Sequence, residues 1–246
     1  MSIAVECKNL VKTFGEHTVL DNLNFKIPKG EITSILGFSG AGKSTLLKHI
    51  LGLWQPSSGE ITVLGQNLSE MGDLELREFR KKFGMLFQYA ALFDSMSAFE
   101  NIAFPLKEFT KLSKAEVSDK VYRLIESVGL IPESANKLPS ELSGGMRKRV
   151  GLARALALEP EVILYDEPTT GLDPITTKMV NDLILETSER NSDRKLTSII
   201  ISHDVDATLR ISNSVAFLQT GKIVEHLGVE DFKKSENPII RQFLDL

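Results

Sequence analysis

The chain has 246 residues, 42% hydrophobic and 25% charged, with a net charge of −4. That balance excludes a disordered chain and, being acidic, argues against a general nucleic-acid binder. Its single cysteine, Cys7, excludes an intrachain disulfide, and no apolar run approaches the roughly 18 residues of a membrane-spanning helix.

In chain order, Met1–Lys12 lacks the charged-then-apolar pattern of a secretory signal. Val5–Ile27 and Glu60–Leu64 read as β-rich. Thr33-Ser34-Ile35-Leu36, Val162-Ile163-Leu164-Tyr165 and Ser198-Ile199-Ile200-Ile201 are short apolar runs with polar residues directly after them. Such runs suit strands buried on both faces of a parallel sheet, whose ligands bind beyond the carboxyl ends. Residues from about 89 to 158 read as a mostly helical insertion between two strands. Ser97 and Glu100 make a helix start, and Pro105 is expected to kink or end that helix. Ser113 and Glu116 pair as a capping box before Val117, Val121, Leu124, Ile125 and Val128, with Gly129 as the stop. A further helix is predicted from near Ser143 to before Pro160. Val215–Leu218, the turn Gln219-Thr220-Gly221 and Lys222–Val224 predict a hairpin.

Gly37-Phe38-Ser39-Gly40-Ala41-Gly42-Lys43-Ser44, followed by Thr45, has the spacing of a phosphate-binding loop, between a predicted strand and a predicted helix. Glycines let several backbone N–H groups turn inward on one anion, and the helix start adds its positive dipole end. Lys43 brings a point charge to the outer phosphates of ATP, and Ser44 a hydroxyl for Mg²⁺. Asp166 and Glu167 end the second apolar run. Asp166 suits the Mg²⁺ side of the site, and Glu167 suits orienting or deprotonating a water. His17, His49, His226 and Cys7 show no ligand spacing, so no structural metal is assigned. Arg80-Lys81-Lys82 and Arg147-Lys148-Arg149 read as solvated faces.

Leu142-Ser143-Gly144-Gly145-Met146 before a helix makes a second anion-binding helix start with only one set of Mg²⁺ ligands. At this point the whole chain resembles the ATP-binding-cassette (ABC) family, with motifs in family order. Phe14 looks like the aromatic that stacks on adenine, and Gln88 like the Q-loop glutamine, serving hydrolysis and Mg²⁺. Ser143, Gly144 and Gly145 match the LSGGQ signature that contacts ATP held by a second copy. Asp173 matches the D-loop and His203 the switch histidine. Met146 replaces the signature glutamine, while Ser143 and Gly145 are intact, so activity is expected to survive.

The resemblance implies a P-loop NTPase α/β fold spanning 1–246. It would have a RecA-like parallel-sheet core, an N-terminal antiparallel β subdomain and the inserted helical subdomain. It implies an ATPase working as a head-to-tail homodimer. Gln88-Tyr89-Ala90-Ala91-Leu92-Phe93, Phe99–Leu106 and the methionine-ending signature look like the ATPases of maintenance-of-lipid-asymmetry (Mla) phospholipid transporters. That finer likeness implies permease subunits, a lipid-binding substrate protein, no nucleic acid, and a peripheral place on the cytoplasmic side of a bacterial inner membrane. A soluble single cassette in iron–sulfur cluster assembly and the ATPase of a transporter with another substrate are the alternatives. Of Tyr89, Phe93, Phe99 and Phe104, at least one is expected to be exposed where a permease helix docks.

Overall fold

The computed structural model describes residues 2–189 and 196–245. Its elements begin with β1 (Ile3–Phe14), β2 (His17–Pro28), β3 (Ile32–Leu36), α1 (Lys43–Ile50), β4 (Ser58–Val63), β5 (Gln66–Asn67), α2 (Asp73–Phe79) and β6 (Phe83–Leu86). There follow α3 (Ala98–Phe109), α4 (Lys114–Ser127), α5 (Gly144–Leu156), β7 (Val162–Asp166), α6 (Pro174–Glu189) and β8 (Thr197–Ile201). The chain continues through α7 (Val205–Ile211), β9 (Ser214–Gln219), β10 (Lys222–Gly228), α8 (Val229–Lys233) and α9 (Pro238–Leu244).

Two sheets form. One is antiparallel, in the order β2-β1-β4-β5, and the other runs β10-β9-β3-β8-β7-β6. In the second sheet β9, β3, β8, β7 and β6 are parallel and only β10 is reversed. Strand alternation sends the side chains of β7 and β8 to both faces of the sheet, and both faces are covered. Val162 and Leu164 of β7, with Ile199 and Ile201 of β8, share a core with the antiparallel sheet and α1. Ile163, Tyr165 and Ile200 point the other way, into a core built with α3, α4, α5 and α6. A third cluster closes the far edge, where Phe217, Phe232, Ile240 and Phe243 join α8 and α9 to β9. No helix among the described residues is long and apolar enough to cross a membrane.

The helical segment between β6 and β7 forms from local signals. Ser97 with Glu100, and Ser113 with Glu116, make complete capping boxes at α3 and α4. Gly129, at φ 67°, ends α4 while Leu130 N–H bonds back to Ile125 C=O, a Schellman closure. Of the two outcomes expected at Pro105, it does not end the helix, because α3 runs through it to Phe109. The missing N–H removes one rung of the helix, but Ile102, Ala103 and Leu106 on the same helix are buried in the helical core. Their burial, about 1.5–3 kcal/mol for each large side chain, exceeds the local penalty.

The β9–β10 hairpin closes over two residues, Thr220 at φ 43° and Gly221 at φ 77°, with Gln219 opposite Lys222. Two positive φ values make the turn that matches strand twist. This turn seats against β2 and the phosphate loop, for Asp21 N–H donates to Gly221 C=O and Gly221 N–H to Ala41 C=O. A Cβ at Gly221 would stand 2.5 Å from the Val19 carbonyl oxygen. Gly221→Ala should therefore cost roughly 2 kcal/mol and lower Tm by about 4–8 °C. An unchanged Tm would show that the turn is not held against β2.

Candidate active site

Four neighbouring parallel strands deliver the predicted site residues at their carboxyl ends. The phosphate loop follows β3, His203 lies just beyond β8, Asp166 ends β7 with Glu167 next, and Gln88 lies just beyond β6. Crossover helices oblige parallel strands to end on the same side, so residues far apart in sequence meet there.

In the loop, Gly37, Gly40 and Gly42 all have positive φ. A Cβ at Gly37 would lie 2.1 Å from the Leu218 carbonyl oxygen, so glycine is required by space as well as by conformation. Lys43 is buried, and its Nζ donates to the carbonyls of Gly37 (2.7 Å) and Phe38 (3.0 Å). Burial lowers its pKa, against the pull of the Glu167 and Asp166 charges. Phe38 turns away from the loop, edge-on to Phe217 and to Phe243 of α9.

Glu167 is buried, and its backbone sits at φ 50°. That left-handed conformation is uncommon for a residue with a side chain, and here it is held by three groups. Glu167 N–H donates to Ile201 C=O (2.8 Å), while its Oε2 accepts from the backbone N–H of His203 (3.2 Å) and the hydroxyl of Thr170 (3.1 Å). His203 Nε2 stands 3.1 Å from Oε1 but out of line for a hydrogen bond, so Oε1 accepts none among the described residues. Burial raises the pKa of Asp166, and the Glu167 charge adds to the rise. Lys148, Lys43 and Lys48 oppose it.

Phe14, at the end of β1, is 45% exposed and packs edge-on against Trp54 at 5.2 Å, beside the end of α1. The signature turn lies elsewhere. Ser143 caps α5 by accepting from Met146 N–H (3.2 Å), and among the described residues none of its hydrogen bonds reaches the phosphate loop. Gly144 and Gly145 face the D-loop region, where a Cβ on Gly145 would meet Thr176 Cγ2 at 2.3 Å. Asp173 caps α6, accepting from the N–H groups of Ile175 and Thr176 and from the Thr176 hydroxyl.

The reading of Arg147-Lys148-Arg149 as a solvated face fails at Lys148, while Arg147 is exposed and Arg149 half-buried. Lys148 is 4% exposed, and its Nζ donates to Gln88 C=O and Glu167 C=O. Burial brings it down to about 8, while Glu167 and Asp166 pull upward. Arg147 donates to the carbonyls of Pro139 and Leu142, and Arg149 to that of Gly129. Lys148 is drawn in because α5 is enclosed on two sides, with Val150 and Ala153 in the helical core and Gly151 against β6. Arg80 likewise donates to the carbonyls of Leu51 and Gly52 after α1. Sequence reasoning also missed Thr170 and Arg154. The one available signal was Gly151, whose missing side chain announces a close approach three residues beyond Lys148.

Ser44, Gln88 and Asp166 offer a hydroxyl, an amide carbonyl and a carboxylate, the hard oxygen donors that suit Mg²⁺. No cluster of three or more histidines, cysteines or acids able to hold a metal occurs among the described residues.

The geometry has counterparts among known proteins. A family model described as ABC transporter matches residues 20–170. The intermembrane phospholipid transport system ATP-binding protein MlaF of Haemophilus influenzae is 43% identical over 98% of this chain and 89% of its own length. A probable ribonucleotide transport ATP-binding protein, mkl, of Mycobacterium leprae is 41% identical over the whole of this chain and 70% of its own length. Among solved structures, a dimeric ATP-binding cassette in a post-hydrolysis state with ADP and Pi aligns at a TM-score of 0.83 with 33% identity, covering 92% of this chain and 98% of that one. The cbiO1 protein of Clostridium perfringens, part of an ABC transporter complex, aligns over the full length of both chains at 0.85 with 26% identity. With the family model spanning more than half its length and relatives matching nearly end to end, this chain belongs to the ABC transporter family as one of its ATP-binding cassettes.

Proposed function

We propose that this cassette hydrolyses ATP to drive a transporter that moves phospholipid between bacterial membranes. It would act as a head-to-tail dimer on the cytoplasmic face of the inner membrane, beside permease subunits and a lipid-binding substrate protein. The observation that carries the hydrolytic reading is the convergence of Lys43, Asp166, Glu167 and His203 at adjoining strand ends. The phospholipid reading rests on the 43% identity to the Haemophilus MlaF protein.

In this reading the loop amides of Gly37–Ser44 and the start of α1 bind the phosphates, and Lys43 adds its charge to the outer ones. Phe14 offers an exposed ring to the adenine. Ser44, Gln88 and Asp166 would hold Mg²⁺, which supplies charge neutralisation on the phosphates. Glu167 Oε1, free of donors, takes the proton of the attacking water, while Thr170 and the His203 backbone fix the other oxygen. His203 orients the carboxylate from the exposed side.

The signature turn completes the site of a second copy. Its helix start presents backbone N–H groups, and Ser143 to Gly145 make no hydrogen bond to their own phosphate loop among the described residues. The permease would dock in a groove of about 370 Å³ between the sheet edge and the helical segment. Phe87, Phe93 and Phe104 supply its apolar lining, and Arg77, Arg80 and Lys81 its basic rim. Tyr89 beside it is 80% exposed, in keeping with the expectation for this segment. An amphipathic helix with acidic flanks fits such a groove.

The name of the Mycobacterium leprae relative favours a second cargo, a ribonucleotide. ATPase activity of the purified complex in phospholipid vesicles, with and without added ribonucleotides, separates the two. Stimulation by ribonucleotide alone would overturn the lipid reading.

Glu167→Gln should bind ATP normally and lose roughly a hundredfold or more in kcat. Turnover within a few-fold of wild type would remove Glu167 as the base. Ser143→Arg should bind ATP as a monomer yet fail to hydrolyse it. Mixed with Glu167→Gln, it should regain turnover, because one composite site then carries both lesions and the other none. A mixture that stays inactive would count against the shared sites. Phe93→Asp should release the subunit from its membrane complex in cosedimentation while leaving its thermal melt unchanged. Retention on the membrane would move the docking site elsewhere.

A further inference from the structure

The pairing between β6 and β7 ends at Leu86 and Tyr165. Gln88 and Glu167 each lie two residues further on, where the ladder no longer holds the two chains together. Lys148 spans that gap. Its Nζ donates to the carbonyl of Gln88 and, at 2.9 Å, to the carbonyl of Glu167. Both segments need an external hold. Glu167 sits at φ 50°, and Ala90 and Ala91 after Gln88 sit at φ 61° and 45°, conformations that residues with side chains adopt only under constraint. Arg154, on the same helix as Lys148, donates to the carbonyls of Ala90 (2.7 Å) and Ala91 (2.8 Å). Gly151 between them permits the approach, since a Cβ there would lie 2.9 Å from Leu86 Cδ1 and 3.2 Å from Ala90 Cβ.

We propose that Lys148 is a positioning residue for hydrolysis, tying the Q-loop backbone to the backbone of Glu167 so that the Glu167 carboxylate and the Gln88 side chain keep a fixed relative placement. A buried ammonium is a costly way to fill space, and an apolar side chain of this length would pack there without desolvating a charge. Its two carbonyl acceptors, with Asp166 and Glu167 nearby, give it a specific task instead. The same helix is capped by Ser143, five residues before Lys148. Any tilt of α5 when the signature turn engages a nucleotide is therefore transmitted through Lys148 to both groups at the γ-phosphate position. Because the clamp holds backbone carbonyls, it works through placement, with no contact to the reacting atoms required.

This role rests on the hydrolytic reading of Glu167, and the experiment separates the two. Lys148→Met keeps most of the length of an unbranched side chain and removes every donor. Lys148→Gln keeps an amide with two N–H groups. ATPase kinetics, thermal melts and amide hydrogen exchange are measured on the full chain for both, beside Glu167→Gln. Lys148→Met should lower kcat about tenfold or more, with KM for ATP within about twofold, since misplacement by an ångström is enough. Exchange should rise at residues 88–91 and 167–170 but not in β1 or β2. Lys148→Gln should recover most of kcat and of the protection. Wild-type kcat in Lys148→Met beside an inactive Glu167→Gln overturns the positioning role alone, whereas an active Glu167→Gln overturns the hydrolytic reading beneath it. A loss confined to KM, or a Lys148→Gln no better than Lys148→Met, also overturns it. If Lys148→Met melts too early to assay, Lys148→Gln decides. With a normal melt, a tenfold loss of kcat without added exchange at 88–91 and 167–170 is incompatible with the clamp.

Discussion

Four charges share the end of β7 with little water to screen them. Asp166 and Glu167 bring negative charge, and Lys43 and Lys148 bring positive charge from opposite directions. Each ammonium is buried, and each would be costly without the carboxylates. Each carboxylate would repel the other without the ammoniums. The phosphate loop and α5 thus bring positive charge to one negatively charged strand end, and the parallel sheet supplies the geometry that gathers them there.

That strand end is also where the backbone departs from regular conformation. Glu167 leaves the ladder at positive φ, costing about 1–2 kcal/mol. Bonds from Ile201, His203, Thr170 and Lys148 over-determine its position. One carboxylate oxygen is engaged by two donors and the other has none among the described residues, the asymmetry on which the proposed proton transfer relies. The conformation that strains the backbone turns the side chain toward His203 and keeps it buried beside Lys43.

Helix α5 does two jobs that conflict in an ordinary amphipathic helix. One face closes the helical core with Val150 and Ala153, and another lies on β6 through Gly151. Its polar residues are drawn inward as backbone clamps. Its N-terminal turn is capped by Ser143 and packs through Gly145 against Thr176. The groove beside the Q-loop is lined in part by Arg154 and Ala155 of α5, and Lys148 of the same helix reaches the backbones of Gln88 and Glu167, so groove, helix and strand ends are in contiguous contact.

Sequence alone determined the parts whose physics is local. Continuous apolar runs marked β3, β7 and β8, because strands buried on both faces tolerate no alternation. Capping boxes marked α3 and α4, because the bonds close within four residues. Glycine spacing before Lys43 marked the phosphate loop, because only those backbone angles present an inward ring of N–H groups. The acid pair ending the second apolar run picked out Glu167, and the resemblance to the ABC family, with its motifs in order, picked out Gln88, Ser143 and His203. Tertiary structure decided what depends on enclosure. A basic run and a solvated face look alike in sequence, and only the burial of α5 between the helical core and β6 turned Lys148 and Arg154 into backbone clamps. Pro105 carries a breaker's signature, and only the packing of Ile102 and Leu106 carried α3 through it. The positive φ of Glu167 has no sequence mark at all, since it arises where β7, β8 and α5 meet and none of them alone requires it.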